Sequence, residues 1–187
     1  MKTATMTWAM MPLMLLAMAG CSPSDKQPES SSHSEGDSVS VCGNDQLATQ
    51  RVGGDAGMGS IHETYRFTNT GDAACTLPGT PGVKRLSSEH GELPPTVQVD
   101  DAGTSLTLAP GKSAYLTLEL SNLSKDGSPF PAQKCQAVAL SGIDVTLAPG
   151  AAPITLKHEG YGCLSGIDNL DVQPLSTKGP EASAQEE

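Results

Sequence analysis

Apolar and polar residues alternate with a period of two through the middle of the chain, and no helical period is visible there. Such alternation is typical of strands with one buried face and one exposed face. It is clearest at 61–69 and 113–120, where we expect two long strands. The positions predicted to face inward are Ile61, Tyr65 and Phe67 in the first strand and Ala114, Leu116, Leu118 and Leu120 in the second.

Shorter alternating segments recur along the chain and are separated by clusters of glycine and proline. Further strands are predicted at 46–52, 76–77, 83–86, 96–99, 105–108, 137–145, 154–158 and 170–173. The predicted turn clusters are 53–57, 69–72, 78–82 and 126–129. Short strands with turn signals at this spacing predict an all-β fold, specifically an antiparallel β-sandwich.

The sequence Thr-Leu-Ala-Pro-Gly occurs twice, at 107–111 and at 146–150. Proline followed by glycine supplies the fixed φ and then the positive φ that a type II turn requires. We therefore predict a strand–turn–strand corner at each copy. The repeat is too short to indicate an internal duplication.

The beginning of the chain has a different pattern. Lys2 is followed by the apolar stretch 8–19, and the next charge is Asp25. A charged start, about a dozen apolar residues and small residues at the cleavage point are features of a secretory signal peptide. A membrane-spanning helix needs about twenty apolar residues. We therefore predict that residues 1–20 are a signal peptide.

The residues Met18-Ala19-Gly20-Cys21 resemble the lipobox of bacterial lipoproteins, with Met18 in place of the usual leucine. This resemblance implies that Cys21 receives a diacylglyceryl group and becomes the mature N-terminus, anchored in membrane lipid by fatty acyl chains such as palmitate. Lasting attachment requires two or three chains. Ser22 differs from the aspartate of inner-membrane retention signals, which favours the outer membrane. The alternative is a soluble secreted protein cleaved near Ala19.

Composition divides the remainder of the chain into three parts. Residues 21–40 are the lipidated cysteine and a flexible serine-rich tether, because they contain almost nothing to bury. Residues 41–175 form the folded domain, and residues 176–187 are predicted to be a disordered acidic tail. The net charge of −10 argues against a nucleic-acid partner.

Four cysteines remain when Cys21 is set aside, and they predict two disulfides formed in an oxidising compartment. Three pairings are possible. Sequential pairing closes two loops of roughly 30 residues, each of which contributes about 3–4 kcal/mol in the chain-entropy model. A zinc site is the alternative, although no C-x-x-C pair is present. The four residues are Cys42, Cys75, Cys135 and Cys163.

Residues 66–83, RFTNTGDAACTLPGTPGV, closely resemble the signature of the bacterial domain-of-unknown-function family 4232. The resemblance covers about residues 42–174 and includes the four cysteines, the glycine-rich segment 53–59 and the block 108–114. Thr80 replaces an aromatic residue that is usual in the family. The resemblance implies an immunoglobulin-like β-sandwich with no assigned activity, and it supplies no catalytic residues.

No pattern in the chain predicts catalysis, a cofactor or a metal site. A G-x-S-x-G motif is absent, and the acidic residues lack the spacing of a calcium loop. His62 and His158 are each followed by a glutamate, Glu63 and Glu159. We expect these pairs to be solvated on exposed strand faces. Adjacent strand residues point in opposite directions, so the members of each pair are poor co-ligands for a metal. The other histidines are His33, in the tether, and His90, in a polar loop.

These observations favour a non-catalytic binding or interaction module of the cell envelope, whose partner is an unknown envelope protein or a small ligand. A second hypothesis is a structural lipoprotein packed into a larger assembly, which predicts a large exposed apolar patch. A third is a small enzyme or metal-handling protein, which requires His62, His90 or His158 to meet an acidic residue in space.

Overall fold

Strands account for nearly all the secondary structure of the computed structural model, which describes residues 39–57, 59–94, 97–98, 102–128, 135–166 and 170–180. One short 3₁₀ turn, Asn44–Gln46, precedes them. The strands are β1 (Leu47–Gly57), β2 (Ser60–Asn69), β3 (Cys75–Leu77), β4 (Gly82–Ser87), β5 (Gly91–Glu92), β6 (Val97–Gln98), β7 (Leu106–Leu108), β8 (Ser113–Ser121), β9 (Cys135–Leu140), β10 (Gly142–Thr146), β11 (Ile154–Leu156), β12 (Gly160–Gly166) and β13 (Leu170–Val172).

The strands form two larger sheets and two strand pairs. The first sheet has the order β1-β2-β8-β13-β6, and the second has the order β11-β10-β4-β5. The pairs are β12 with β9 and β3 with β7. All of these pairings are antiparallel except that of β13 with β6. The all-β, antiparallel character predicted from the alternation is therefore confirmed.

The two strongest sequence patterns become adjacent strands, β2 and β8. Tyr65 lies opposite Leu116 and Phe67 lies opposite Ala114, so their side chains share one face of the sheet. All four of these side chains are buried, as the alternation predicts. Leu118 and Leu120 continue the same face.

Both larger sheets contribute to one hydrophobic core. Phe67 and Leu116 come from the first sheet, and Ile143, Val145 and Leu156 come from the second. Each is almost completely buried, and burying a side chain of this kind contributes about 1.5–3 kcal/mol. A separate small cluster contains Leu123, Cys135 and Cys163, with Ala137 and Tyr161 against it.

The two disulfides join Cys42 to Cys75 and Cys135 to Cys163. This is the sequential arrangement among the three pairings that the sequence allows. The first disulfide ties the segment before β1 to β3, where the amide of Cys42 also donates to the carbonyl of Thr76. The second links β9 to β12 within the small cluster.

Both Pro-Gly corners have the predicted backbone. Gly111 has a φ of 73° and Gly150 a φ of 79°. The amide of Lys112 donates to the carbonyl of Ala109 at 3.0 Å, and that of Ala151 donates to the carbonyl of Ala148 at 3.1 Å. These are the bonds that close a four-residue turn.

The predicted turn at 53–57 is wrong, because β1 continues through it to Gly57. A β-bulge between Arg51 and Gly53 shifts the register, and pairing with β2 then resumes. The chain reverses instead next to Gly59, whose φ is 90°. Glycines at a bulge are compatible with a strand, so their density did not indicate where the hairpin ends.

Two other strand predictions needed correction, and two strands were not predicted. The segment 137–145 is two strands, β9 and β10, separated at Ser141, whose amide donates to the carbonyl of Leu86. The segment 154–158 is strand only to Leu156, so His158 lies in the connection to β12. Strands β5 and β12 were not predicted, since their Gly-rich sequences show little apolar alternation.

The predictions for the signal peptide, for Cys21 and for tether residues 22–38 lie outside the described residues, as do residues 181–187 of the tail. The last residue of the predicted tether, Ser40, is described, and its carbonyl accepts a hydrogen bond from the amide of Thr76. Ser176, the first residue assigned to that tail, exchanges two backbone hydrogen bonds with Tyr115. Among the described residues, no helix is long and apolar enough to span a membrane.

Candidate functional site

A buried carboxylate on β2 lies at the centre of the candidate site. Glu63 points to the same face of the sheet as Tyr65 and Phe67, because side chains two residues apart on a strand share a face. Only 7% of Glu63 is exposed. A carboxylate this deep in an apolar face requires hydrogen-bond or charge partners to be stable.

Three side chains from three parts of the chain meet this carboxylate. The Tyr65 hydroxyl donates to Oε2 of Glu63 at 2.6 Å, and Nδ1 of His158 lies 2.9 Å from the same oxygen. Nη2 of Arg51 lies 3.2 Å from Oε1. The cluster therefore joins β1, β2 and the β11–β12 connection.

Strand register explains why Arg51 reaches the cluster. Arg51 lies directly opposite Tyr65 in the β1–β2 ladder, so its side chain leaves the sheet on the same face. The bulge that follows Arg51 shifts β1 by one residue relative to β2. About half of the Arg51 side chain, 53%, remains exposed to solvent.

The partners determine the charge state of Glu63. Burial by itself raises the pKa of the Glu63 carboxyl, but the hydrogen bonds from His158 and Tyr65, together with the charges of His158 and Arg51, outweigh it and lower the pKa below its ordinary value. The pKa of Tyr65 is raised, first by burial and then by its hydrogen bond to Glu63. At neutral pH the cluster therefore contains a carboxylate and a neutral phenol.

The ionised Glu63 also orients His158. A carboxylate accepts hydrogen bonds only, so Nδ1 of the imidazole is the donor and neutral His158 has its lone pair on Nε2. Nε2 has no hydrogen-bond partner among the described residues. Every fully buried side-chain nitrogen and oxygen of those residues does have one. Nε2 is therefore not fully buried, although only 3% of the His158 side chain is exposed.

A surface cleft of about 550 Å³ opens beside this imidazole, and we call it the Arg51–His158 cleft. It is lined by Arg51, Ile61, Glu63, Lys157, His158 and Glu159. Lys157 and Glu159 are exposed at the rim, where Nζ of the lysine lies 2.9 Å from Oε1 of the glutamate. A second hollow of about 210 Å³ adjoins it and shares Arg51 and Lys157.

The lining of the cleft indicates what chemistry it supports. None of the described side chains that line it carries a hydroxyl or a thiol, so these residues offer no nucleophile of that kind for covalent catalysis. An imidazole oriented by a carboxylate is a common metal ligand. However, no group of three or more His, Cys, Asp or Glu residues in the described part of the chain is placed to hold a metal ion. The contact between His158 and Glu63 meets the spatial condition of the third hypothesis, and the same imidazole can form a hydrogen bond with a polar ligand.

The structure corrects the expectation of solvated histidine–glutamate pairs. His158 and Glu63 are both buried and bind each other across 95 positions of sequence. His62 lies on the opposite face of β2 and pairs in register with Glu119 of β8. His90 remains in the polar turn, with its Nε2 3.9 Å from Oε2 of Glu89.

Sequence reasoning missed Glu63, Tyr65 and Arg51 as a site. One signal was available, because position 63 has the same parity as the inward positions 61, 65 and 67. A glutamate there is a polar residue on a predicted core face, which requires partners. Nothing local indicates that His158 is one of them.

A second buried charge, Arg85 on β4, lies outside the cleft. Burial lowers the pKa of its guanidinium to about 10, so it stays protonated at neutral pH. Its Nη2 donates to the carbonyl of Pro94 at 3.3 Å, and its backbone carbonyl accepts from the amide of Leu93. These contacts stabilise the segment after β5, and we assign Arg85 a structural role.

Comparison with known proteins places the domain in a family. The model of the domain of unknown function DUF4232 matches residues 42–176. The chain belongs to the DUF4232 family. The family resemblance noted in the sequence is confirmed, and the match includes all four disulfide cysteines and every lining residue of the Arg51–His158 cleft. No curated protein and no solved structure matches the chain.

The two disulfides of this DUF4232 domain indicate an oxidising, extracytoplasmic environment. The family signature around 66–83 has a structural explanation. The buried side chain of Asn69 donates to the carbonyls of Ala73 and Leu108 and accepts from the amide of Gly71. The Asn-Thr-Gly block therefore stabilises the turn that leads into Cys75.

Proposed function

We propose that the protein is a lipid-anchored component of the bacterial cell envelope and that its DUF4232 domain is a non-catalytic binding module. We further propose that the two larger sheets form an immunoglobulin-like β-sandwich. The observation on which the binding role depends is the Arg51–His158 cleft. Among the described residues, it combines charged groups and an imidazole nitrogen without a hydrogen-bond partner, and its lining has no hydroxyl or thiol group.

Sequence and structure support the location in different ways. The signal-peptide pattern of residues 1–20 and the lipobox-like Met18–Cys21 favour export followed by acylation. The paired cysteines are consistent with a compartment outside the cytoplasm. Anchoring through acylated Cys21 leaves residues 22–40 as the tether.

The surface of the domain favours display over permanent packing into an assembly. Among the described residues, the only large hydrophobic side chains that are exposed are Val39 at 40% and Val41 at 53%. Both lie before β1, Val39 within the predicted tether and Val41 at the first position of the predicted domain. A permanently packed domain presents a contiguous apolar patch of several hundred Å².

The anchoring half of the proposal is tested by labelling intact cells with radioactive palmitate. We expect the wild-type chain to incorporate label and Cys21→Ser to incorporate none. Cys42→Ser with Cys75→Ser is a suitable control for loss of thiols, since it removes two cysteines and leaves the lipobox unchanged. Label that persists in Cys21→Ser would show that the anchor is elsewhere.

The binding half is tested with purified protein and with cells. We expect active-site probes for serine and cysteine nucleophiles to leave the purified chain unlabelled. Cross-linking in intact cells, followed by capture through a C-terminal tag, should recover a discrete adduct that is lost in Cys21→Ser. Stoichiometric labelling by a nucleophile probe would contradict the non-catalytic assignment.

A further inference from the structure

We propose that the Arg51–His158 cleft binds a small organic carboxylate that carries a hydroxyl or amino donor next to the acid group. This proposal deepens the proposed function by naming the ligand class of the same cleft. Arg51 and Lys157 receive the carboxylate, and Nε2 of His158 accepts a hydrogen bond from the donor.

Arg51 supplies the principal anion-binding group. Its guanidinium has five N–H donors, and among the described residues its only polar contact is with Oε1 of Glu63. Most of its donors are therefore available. The planar group matches a carboxylate with two parallel hydrogen bonds, which are about twice as strong as neutral ones.

Lys157 supplies a second positive charge at the rim. Its ion pair with Glu159 is exposed on both sides, and such pairs contribute roughly 0–1 kcal/mol. An incoming carboxylate can replace Glu159 as the partner at little cost. Glu159 then remains solvated, as its position at the rim allows.

Glu63 does not block an anion, because its charge is already compensated. Its two oxygens receive Tyr65, His158 and Arg51, and little of the side chain is exposed. The carboxylate instead holds Arg51 and the imidazole in place, so we regard Glu63 as a positioning residue. It also accepts a hydrogen bond from Nδ1 of His158, so Nε2 is the ring nitrogen left for a ligand.

The choice between a cation and an anion follows from the lining. A metal ion at Nε2 of His158 needs further ligands, and no group of three or more His, Cys, Asp or Glu residues in the described part of the chain is placed to supply them. An organic anion needs no such set, and its hydrocarbon part can contact Ile61. A volume of about 550 Å³ lies within the usual range for small-molecule sites.

Malate and succinate are the appropriate probes, because they differ only by one hydroxyl group. The full exported chain with Cys21→Ser is titrated with each and followed by ¹⁵N NMR of the Arg51 side chain and the His158 ring. We expect saturable shifts at both groups with malate. Succinate should bind about threefold or more weakly, because it leaves Nε2 without a donor.

Charge-removal variants test the assignment of residues. Arg51→Gln should weaken malate binding about tenfold, since it removes charge-assisted hydrogen bonds. Lys157→Gln should weaken it less. Two matched controls should leave the affinity unchanged. Lys84→Gln removes another exposed lysine that is paired with a glutamate at 2.8 Å, and Arg66→Gln removes an arginine from the opposite face of β2.

Inorganic phosphate and Zn²⁺ complete the set of probes. Phosphate that shifts Arg51 while malate does not would overturn the carboxylate assignment, as would tighter binding of Zn²⁺ at the His158 ring. Equal loss of malate affinity in Lys84→Gln would show non-specific ion binding and also overturn it. These binding measurements use purified protein, whereas the palmitate-labelling and cross-linking tests use intact cells. A negative result for the ligand class can therefore be distinguished from a negative result in those tests.

Discussion

The buried face of strands β2 and β8 has an apolar end and a polar end, and different interactions stabilise the two ends. The apolar end of β2 and β8 is defined by Phe67, Ala114 and Leu116, whose hydrocarbon side chains are completely buried. The polar end is defined by Glu63, Tyr65, His158 and Arg51, and three of these side chains are nearly as buried. Comparable burial is therefore achieved by packing at one end and by hydrogen bonding and charge pairing at the other.

The difference determines how each end responds to substitution. A hydrocarbon side chain contributes in proportion to the area and volume that it fills, so its loss leaves a cavity. Replacing a whole buried polar cluster with apolar residues changes the stability of the fold little. Removing one member is costly, because its partners stay buried without hydrogen bonds. The polar end is therefore the one whose members depend on each other most strongly.

The largest expected effect is at the apolar end. Phe67→Ala should lower the free energy of unfolding by about 3–5 kcal/mol, because it empties a large site in the centre of the core. Urea denaturation with both disulfides intact measures this. Phe67→Leu is the control and should cost clearly less, since it keeps most of the volume. A loss below about 1 kcal/mol for the alanine variant would contradict the assigned core position.

The polar end should respond next. Glu63→Leu should cost about 3 kcal/mol, because the Tyr65 hydroxyl and Nδ1 of His158 lose their acceptor. The triple variant Glu63→Leu, Tyr65→Phe, His158→Leu should be more stable than Glu63→Leu alone, because all the buried polar groups are removed together. Denaturation of both variants tests this. Additive losses across the three positions would show that the groups are not coupled.

Acid should destabilise the polar end more than the apolar end. The pKa of Glu63 is lower in the folded state than its ordinary value of 4.5. The ionised carboxylate therefore makes its full contribution to stability above about pH 4.5. It is lost as the pH falls through the folded pKa, because the carboxyl must then be protonated. We expect the stability difference between wild type and Glu63→Gln to shrink below about pH 4. A difference that stays constant down to pH 2 would contradict the lowered pKa.

The smallest effects should be at the exposed edge of the polar end. Arg51→Gln should cost about 1 kcal/mol or less, since its ion pair with Glu63 is partly solvated. Lys157→Gln should change stability by less than about 0.5 kcal/mol, because both members of its pair are exposed. Thermal unfolding at low and high salt compares them. A loss for Lys157→Gln larger than that for Arg51→Gln would reverse the predicted order.

The apolar end was predictable from the sequence and the polar end was not. Alternation in β2 and β8 predicts Phe67 and the four inward residues of β8, because a strand places every second side chain on the same face. It also predicts that Tyr65 of the polar end points inward. The same rule puts Glu63 inward, but it does not supply a partner. The partner His158 was expected in a strand and lies in a connection instead. Its position depends on where β11 ends and β12 begins.

The turns also differ in whether the sequence predicts them. The Pro-Gly corners at 110–111 and 149–150 follow from the local chemistry of two adjacent residues, and the structure confirms them. The hairpin between β1 and β2 does not follow from the glycines of 53–57. Its end is set by the ladder between the two strands and by the bulge at Arg51, both of which depend on pairing across the sheet.

The sequence by itself therefore determined the all-β class, the core faces of the two long strands, the cysteines available for disulfides and the family. These depend on local periodicity, composition and motif, which are properties of neighbouring residues. The tertiary structure alone decided which cysteines pair, where β1 turns, and that Arg51, Glu63 and His158 form one cleft. Those features join residues that are distant in sequence, and only the packing of strands and connections brings them within bonding distance.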